Sequence, residues 1–190
     1  LHGVLMIFGF LGAAITRERA VALQSDRRRI SLWAYLSPVA AVAGTALALT
    51  QIALHGAEAT RLLPTLAWSG SMALLVGIYV VVWRKQPMIA VLIQALGTVA
   101  GLAGILLWGR GFEIAQIVPW WCAFLIFTII GERLELARIT FARGSTEARV
   151  LGEVNLTCVG LVMTLFAPAL GYPLLGLALV IVAIDTAHHD

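Results

Sequence analysis

Charge is scarce in this sequence: Asp, Glu, Lys and Arg make up 12% of 190 residues, against 61% hydrophobic residues and a mean hydropathy of +0.95. Ordinary soluble domains carry roughly a quarter charged residues, so a water-soluble globule is excluded and an all-α integral membrane bundle is expected. Cysteine is also rare. Cys122 and Cys158 fall in separate apolar runs, at depths differing by about two helical turns, which speaks against a disulfide between them, and neither has metal-ligand spacing. Lysine occurs only at Lys85, in a connector, and this excludes a retinal Schiff base in the last helix. The net charge of +3 comes from arginines scattered between apolar runs, so no nucleic acid partner is expected. Too little polar sequence remains for a separate soluble domain.

What is present is a series of apolar runs bounded by charges or turn residues. They lie at about 2–22, 32–54, 63–83, 88–108, 115–136, 150–167 and 171–186, each near the roughly 20 residues needed to cross a bilayer. The expectation is a single transmembrane domain over 1–190 of about seven helices, in contact with lipid. Gly171, Tyr172 and Pro173 are expected to form a tight connection before a short last span. Arg17, Arg19, Arg27, Arg28, Arg29, Arg84, Lys85, Arg133, Arg138, Arg143 and Arg149 fall on one side, leaving Arg61 and Arg110 opposite. The positive-inside rule then puts the N-terminus outside and the C-terminus in the cytoplasm, with Asp185, His188, His189 and Asp190 in a cytoplasmic tail. Trp33 and Trp83 are expected at the inner interface, and Trp68, Trp108, Trp120 and Trp121 at or near the outer one. A start at Leu1 and a stop just after an apolar run lead us to expect part of a longer polypeptide.

Two runs end in the same charged device. Shifting FLGAAITRER by 114 residues lays Phe10 on Phe124, Leu11 on Leu125, Ile15 on Ile129, Glu18 on Glu132 and Arg19 on Arg133. Adjacent helical residues point about 100° apart, so Glu18 and Arg19 cannot satisfy each other across one face. Reciprocal pairing between helices, Arg19 with Glu132 and Glu18 with Arg133, is the economical arrangement if the two runs belong to an internal repeat. Glu135 and Arg138 could also pair locally three residues apart. Elsewhere, Gly97, Gly101 and Gly104 form a small-residue face for helix packing, and Asn155 and Thr157 are expected to hydrogen-bond a neighbouring helix.

The histidines supply the remaining chemistry. His2 opens the first run with Met6 one turn below, and His55 closes the second with Gln51 one turn below. Imidazole suits haem iron and copper, and thioether suits copper(I) or haem, so His2, Met6 and His55 are the candidate cofactor and metal ligands. The residues His2, Gly3, Leu5, Met6, Gly9, Phe10, Leu11, Glu18 and Arg19 resemble the opening of a group of bacterial polytopic membrane proteins that are themselves similar to the NnrS family. That resemblance implies the N-terminal part of a protein of about twelve spans in the bacterial inner membrane. It also implies haem or copper as cofactor and a role in nitric oxide or respiratory redox chemistry, completed by remaining segments of the same polypeptide or a partner subunit. The family's segment typically has more histidines than the one found here. Half of a transporter, with the charged pairs as gate or hinge between repeats, is the alternative. A third is a non-catalytic structural subunit.

Overall fold

Apolar helices in lipid must satisfy their backbone internally, and the chain does so along almost all of its length. The computed structural model describes residues 2–24, 32–55, 61–140 and 144–189, with side chains described except at 55, 137–140, 144–147 and 186–189. Among these residues there is no strand. The first helical run comprises α1 (His2–Val4), a π-helical segment (Leu5–Leu11) and α2 (Gly12–Gln24). A 3-10 turn (Leu32–Tyr35) leads into α3 (Leu36–His55), followed by α4 (Leu62–Lys85), α5 (Ile89–Gly109), α6 (Ile114–Thr140), α7 (Gly144–Phe166) and α8 (Pro168–His189). Six of these helical stretches are long and apolar enough to cross a membrane, at 32–54, 62–85, 89–109, 114–136, 148–166 and 168–185. With the first run, which the π segment interrupts, they make a bundle of seven helices.

Sequential neighbours pack together, and α5 is the hub: 56% of its apolar window is buried, against 17% for α8. The small-residue face expected on α5 makes this enclosure feasible, since a Cβ at Gly97, Gly101 or Gly104 would press on Phe127, Phe124 or Trp121 of α6. In the half of the bundle that holds Phe8 the core is aromatic. Phe8 stacks on Phe124 at 5.8 Å and meets Trp121 edge-on at 5.9 Å, while Trp68 lies 5.8 Å from Trp108. Trp68, Trp108, Trp120 and Trp121 are therefore buried in the bundle, not arrayed at the outer lipid interface as expected. Burial is affordable for Trp68 because its indole N–H donates to the Ala41 carbonyl at 3.1 Å; an unsatisfied N–H in lipid would cost several kcal/mol.

The connection between α7 and α8 also differs from expectation. The turn is at Ala167, whose N–H donates to the Met163 carbonyl at 2.8 Å. Pro168 opens α8, the position where its missing N–H costs nothing. Gly171 is instead a packing residue, since a Cβ there would come within 2.5 Å of the Met163 carbonyl carbon. Pro173 lies within α8, which continues past Asp185 to His189. Asp185 is not a free tail residue: its Oδ1 accepts from Arg149 Nε at 3.0 Å. The other expected tail residues have no described side chain or, for Asp190, lie outside the described residues. Arg27, Arg28, Arg29 and Arg143 also lie outside them.

Proline inside α6 has a partner across the bundle. Pro119 has no N–H for the carbonyl four residues back, that of Ala115, and the Tyr172 hydroxyl of α8 donates to that oxygen at 3.2 Å. Thr157 bonds its own helix, donating to the Glu153 carbonyl at 2.8 Å, and Asn155 lies exposed on α7. The neighbouring-helix bond expected of Thr157 is thus replaced by back-bonding within α7.

Candidate functional site

The charged ends meet where α2, α4, α5 and α6 converge. Arg19 donates from one terminal nitrogen to Glu132 Oε1 and from the other to Glu135 Oε2, each at 3.2 Å. Glu132 and Glu135 are three residues apart, which puts both carboxylates on one face of α6. The Arg19–Glu132 contact is the one expected from the sequence offset. Glu135 enters it as well, while Glu18 and Arg133 both lie exposed. Arg138, the local partner considered for Glu135, has no described side chain.

Two residues that sequence reading missed complete the network. Gln94 of α5 is fully buried, and its carboxamide is satisfied when the oxygen accepts from Arg19 and from the Glu132 backbone N–H, at 3.1 Å each. Tyr79 of α4 lies beneath the guanidinium, 6.0 Å from ring centroid to Arg19 Cζ, within reach of a cation–π interaction. A carboxamide in an apolar run was the available signal for Gln94, because polar groups inside membrane helices generally find partners. Gly131 makes its approach sterically feasible. A Cβ there would overlap the Gln94 side chain and come 2.9 Å from the Ala90 carbonyl oxygen.

Beside this network is a cavity of about 220 Å³ lined by Arg19, Leu23, Tyr79, Lys85, Gln94 and Glu135, among others. Sites for drug-sized ligands usually span roughly 300–1,000 Å³, so this one suits a smaller solute. Arg19 Nε and the Tyr79 hydroxyl are buried without a hydrogen-bond partner among the described residues. If Arg19 and Glu132 interact directly, a cycle of Arg19→Glu and Glu132→Arg should give a coupling of about 0.5–2 kcal/mol. Additive stability changes in detergent would show that each charge is separately solvated.

The expected cofactor ligands are not drawn into this region. His2 is exposed, Met6 is 45% exposed, and the His55 side chain is outside the described set. A Cβ at Gly9 would fall on the Thr45 side chain, so the first run lies beside α3 there, with His2 seven residues from that contact and His55 ten. Among the described residues no group of three or more His, Cys, Asp or Glu is placed to hold a metal. A second recess, a groove of about 460 Å³ between α7 and α8, is lined by Arg149, Glu153, Leu156, Ile181, Ile184 and Asp185.

Six helices long and apolar enough to cross a membrane, with a charged network where α2, α4, α5 and α6 converge, define a multi-pass helical membrane protein. The chain belongs to the family described as a domain of unknown function (DUF8744), which it matches over residues 1–190. No curated protein and no solved structure matches it.

Proposed function

We propose that the chain is the membrane-embedded part of a transport protein of the bacterial inner membrane, in which Arg19 and its two carboxylates form an inner gate. One observation carries this reading: a single guanidinium joins the first helical run to α6 at the edge of a small cavity. Ionisable groups in membrane helices are costly, and they mark pathways and moving contacts more often than static packing. The two carboxylates are not sealed. Glu132 and Glu135 are 36% and 41% exposed, against 13% for Arg19, so the carboxylates can turn toward water while the guanidinium keeps the Gln94 oxygen.

The gate is tested with Leu23→Cys, a buried cavity-lining position, in a chain whose Cys122 and Cys158 are replaced by serine. Labelling by a water-soluble thiol reagent should be slow. It should become several-fold faster after Glu132→Gln and Glu135→Gln together, and equal rates would sink the gate. Orientation is tested in the same background: Gln86→Cys should label from the cytoplasmic side and Glu113→Cys from outside, as the positive-inside rule requires. The reverse pattern would invert the topology.

Haem or copper at the outer end is the second reading, favoured by His2 and the end of α3 lying on the same side of the Gly9–Thr45 contact and by the NnrS-like opening. The described donors do not enclose such a group by themselves, since they supply one exposed imidazole and one half-exposed thioether. Further ligands would come from His55 or from another segment or subunit. Purified chain from haem- and copper-replete cells should then show a visible spectrum or bound metal that His2→Ala diminishes. An unchanged spectrum and metal content in His2→Ala would exclude His2 as a ligand.

A further inference from the structure

The cavity beside the gate has a chemical preference. Its lining includes Arg19 and Tyr79, and each carries a polar hydrogen that is buried and unclaimed: Nε–H on the guanidinium and O–H on the phenol. A buried donor without an acceptor costs about as much as a lost hydrogen bond, and two beside one cavity call for an acceptor that enters it. Lys85 and Glu135 stand on the same wall, so the lining carries two cationic groups and one carboxylate. The Tyr79 ring centroid lies 6.0 Å from Arg19 Cζ, at the outer reach of a cation–π contact. Arginine presents adjacent N–H groups in a rigid fork that matches two oxygens of one carboxylate or similar oxyanion. The apolar remainder of the wall, Leu23, Val82 and Val91, suits a short hydrocarbon tail.

We infer that this cavity binds a small organic oxyanion, a short-chain monocarboxylate, through Arg19 Nε–H and the Tyr79 hydroxyl. The inference deepens the transport reading and rests on it for the purpose of the site, although binding is measured without transport. Arg19 Nη1 already serves Glu135, and Nη2 serves Glu132 and Gln94, so the ligand takes the unclaimed Nε–H and leaves the gate contacts in place.

The experiment uses the full chain purified in detergent, with acetate and butyrate as probes and chloride at equal ionic strength as control. Calorimetric titration and thermal stability are recorded for wild type, Tyr79→Phe and Arg19→Lys. Wild type should bind a carboxylate and be stabilised by it. Tyr79→Phe keeps the ring and loses only the hydroxyl, so it should fold normally and bind about tenfold more weakly or worse. Arg19→Lys should lose the fork and bind weakly too. Undiminished binding in Tyr79→Phe, or stabilisation equal to that by chloride, overturns the proposal. Should carboxylate binding be absent while Leu23→Cys labelling still responds to the Glu132 and Glu135 changes, the ligand class is wrong and the gate stands. Binding that Tyr79→Phe abolishes, with labelling indifferent to those changes, keeps the site and removes the gate.

Discussion

Arg19→Met should destabilise the bundle by about 3 kcal/mol, the low end of the ~3–5 kcal/mol seen when one partner of a buried ion pair is removed. The substitution keeps much of the apolar stem and deletes the charge. Glu132 and Glu135 are left facing each other on one helix face, and the Gln94 oxygen loses its side-chain donor. The low end applies because both carboxylates are more than a third exposed and can turn toward water. Denaturant titration in mixed micelles would measure the change. Arg19→Lys should recover only part of it, since an ammonium is a point charge and cannot reach two carboxylates and a carboxamide in the geometry of a planar fork. A change within about 0.5 kcal/mol of wild type, the range of ordinary surface substitutions, would mean that the network contributes little to stability.

Gly131→Ala is the second large effect, and it acts with no change of charge. The added methyl would overlap the Gln94 side chain and stand 2.9 Å from the Ala90 carbonyl oxygen. Overpacking of this kind costs roughly 1–3 kcal/mol, and Gln94 can yield only by leaving Arg19. Both stability and carboxylate binding should therefore fall. Gln94→Ala should partly rescue the stability of Gly131→Ala by removing the obstructing side chain, although it cannot restore the hydrogen bonds to Arg19. If the two substitutions instead add independently, the steric account of Gly131 is wrong.

The sequence exposed some of this arrangement and concealed the rest for physical reasons. A span at 32–54 follows from hydropathy alone and recurs unchanged in the structure, because length and apolar content are local properties. The Arg19–Glu132 contact was legible because the 114-residue offset laid the charged ends of the two runs on each other, and similar runs in parallel helices end at the same level. Tyr79 and Gln94 were not picked out, and Glu135 was considered only with Arg138, since depth says nothing about the direction a residue faces around its helix. The tryptophans show the same gap from the other side: Trp68 and Trp121 were placed by position along their helices, and they face inward. The α7–α8 turn was misplaced because Gly171, Tyr172 and Pro173 have turn composition, whereas Ala167 before Pro168 carries only the weaker signal of proline at a helix start. The His2 and His55 reading remains a matter of depth alone.

The π segment at Leu5–Leu11 gives the first helical run a property that its neighbours lack. A π turn closes on a hydrogen bond spanning about one residue more than an α turn, as when the Gly12 N–H donates to the Ile7 carbonyl. The segment therefore holds surplus chain. Loss of one residue there could be absorbed by rewinding to α-helix, with His2 and Val4 keeping nearly the same facing while Arg19 stayed against Glu132. The two ends of this helix are in that sense buffered against a change in chain length between them.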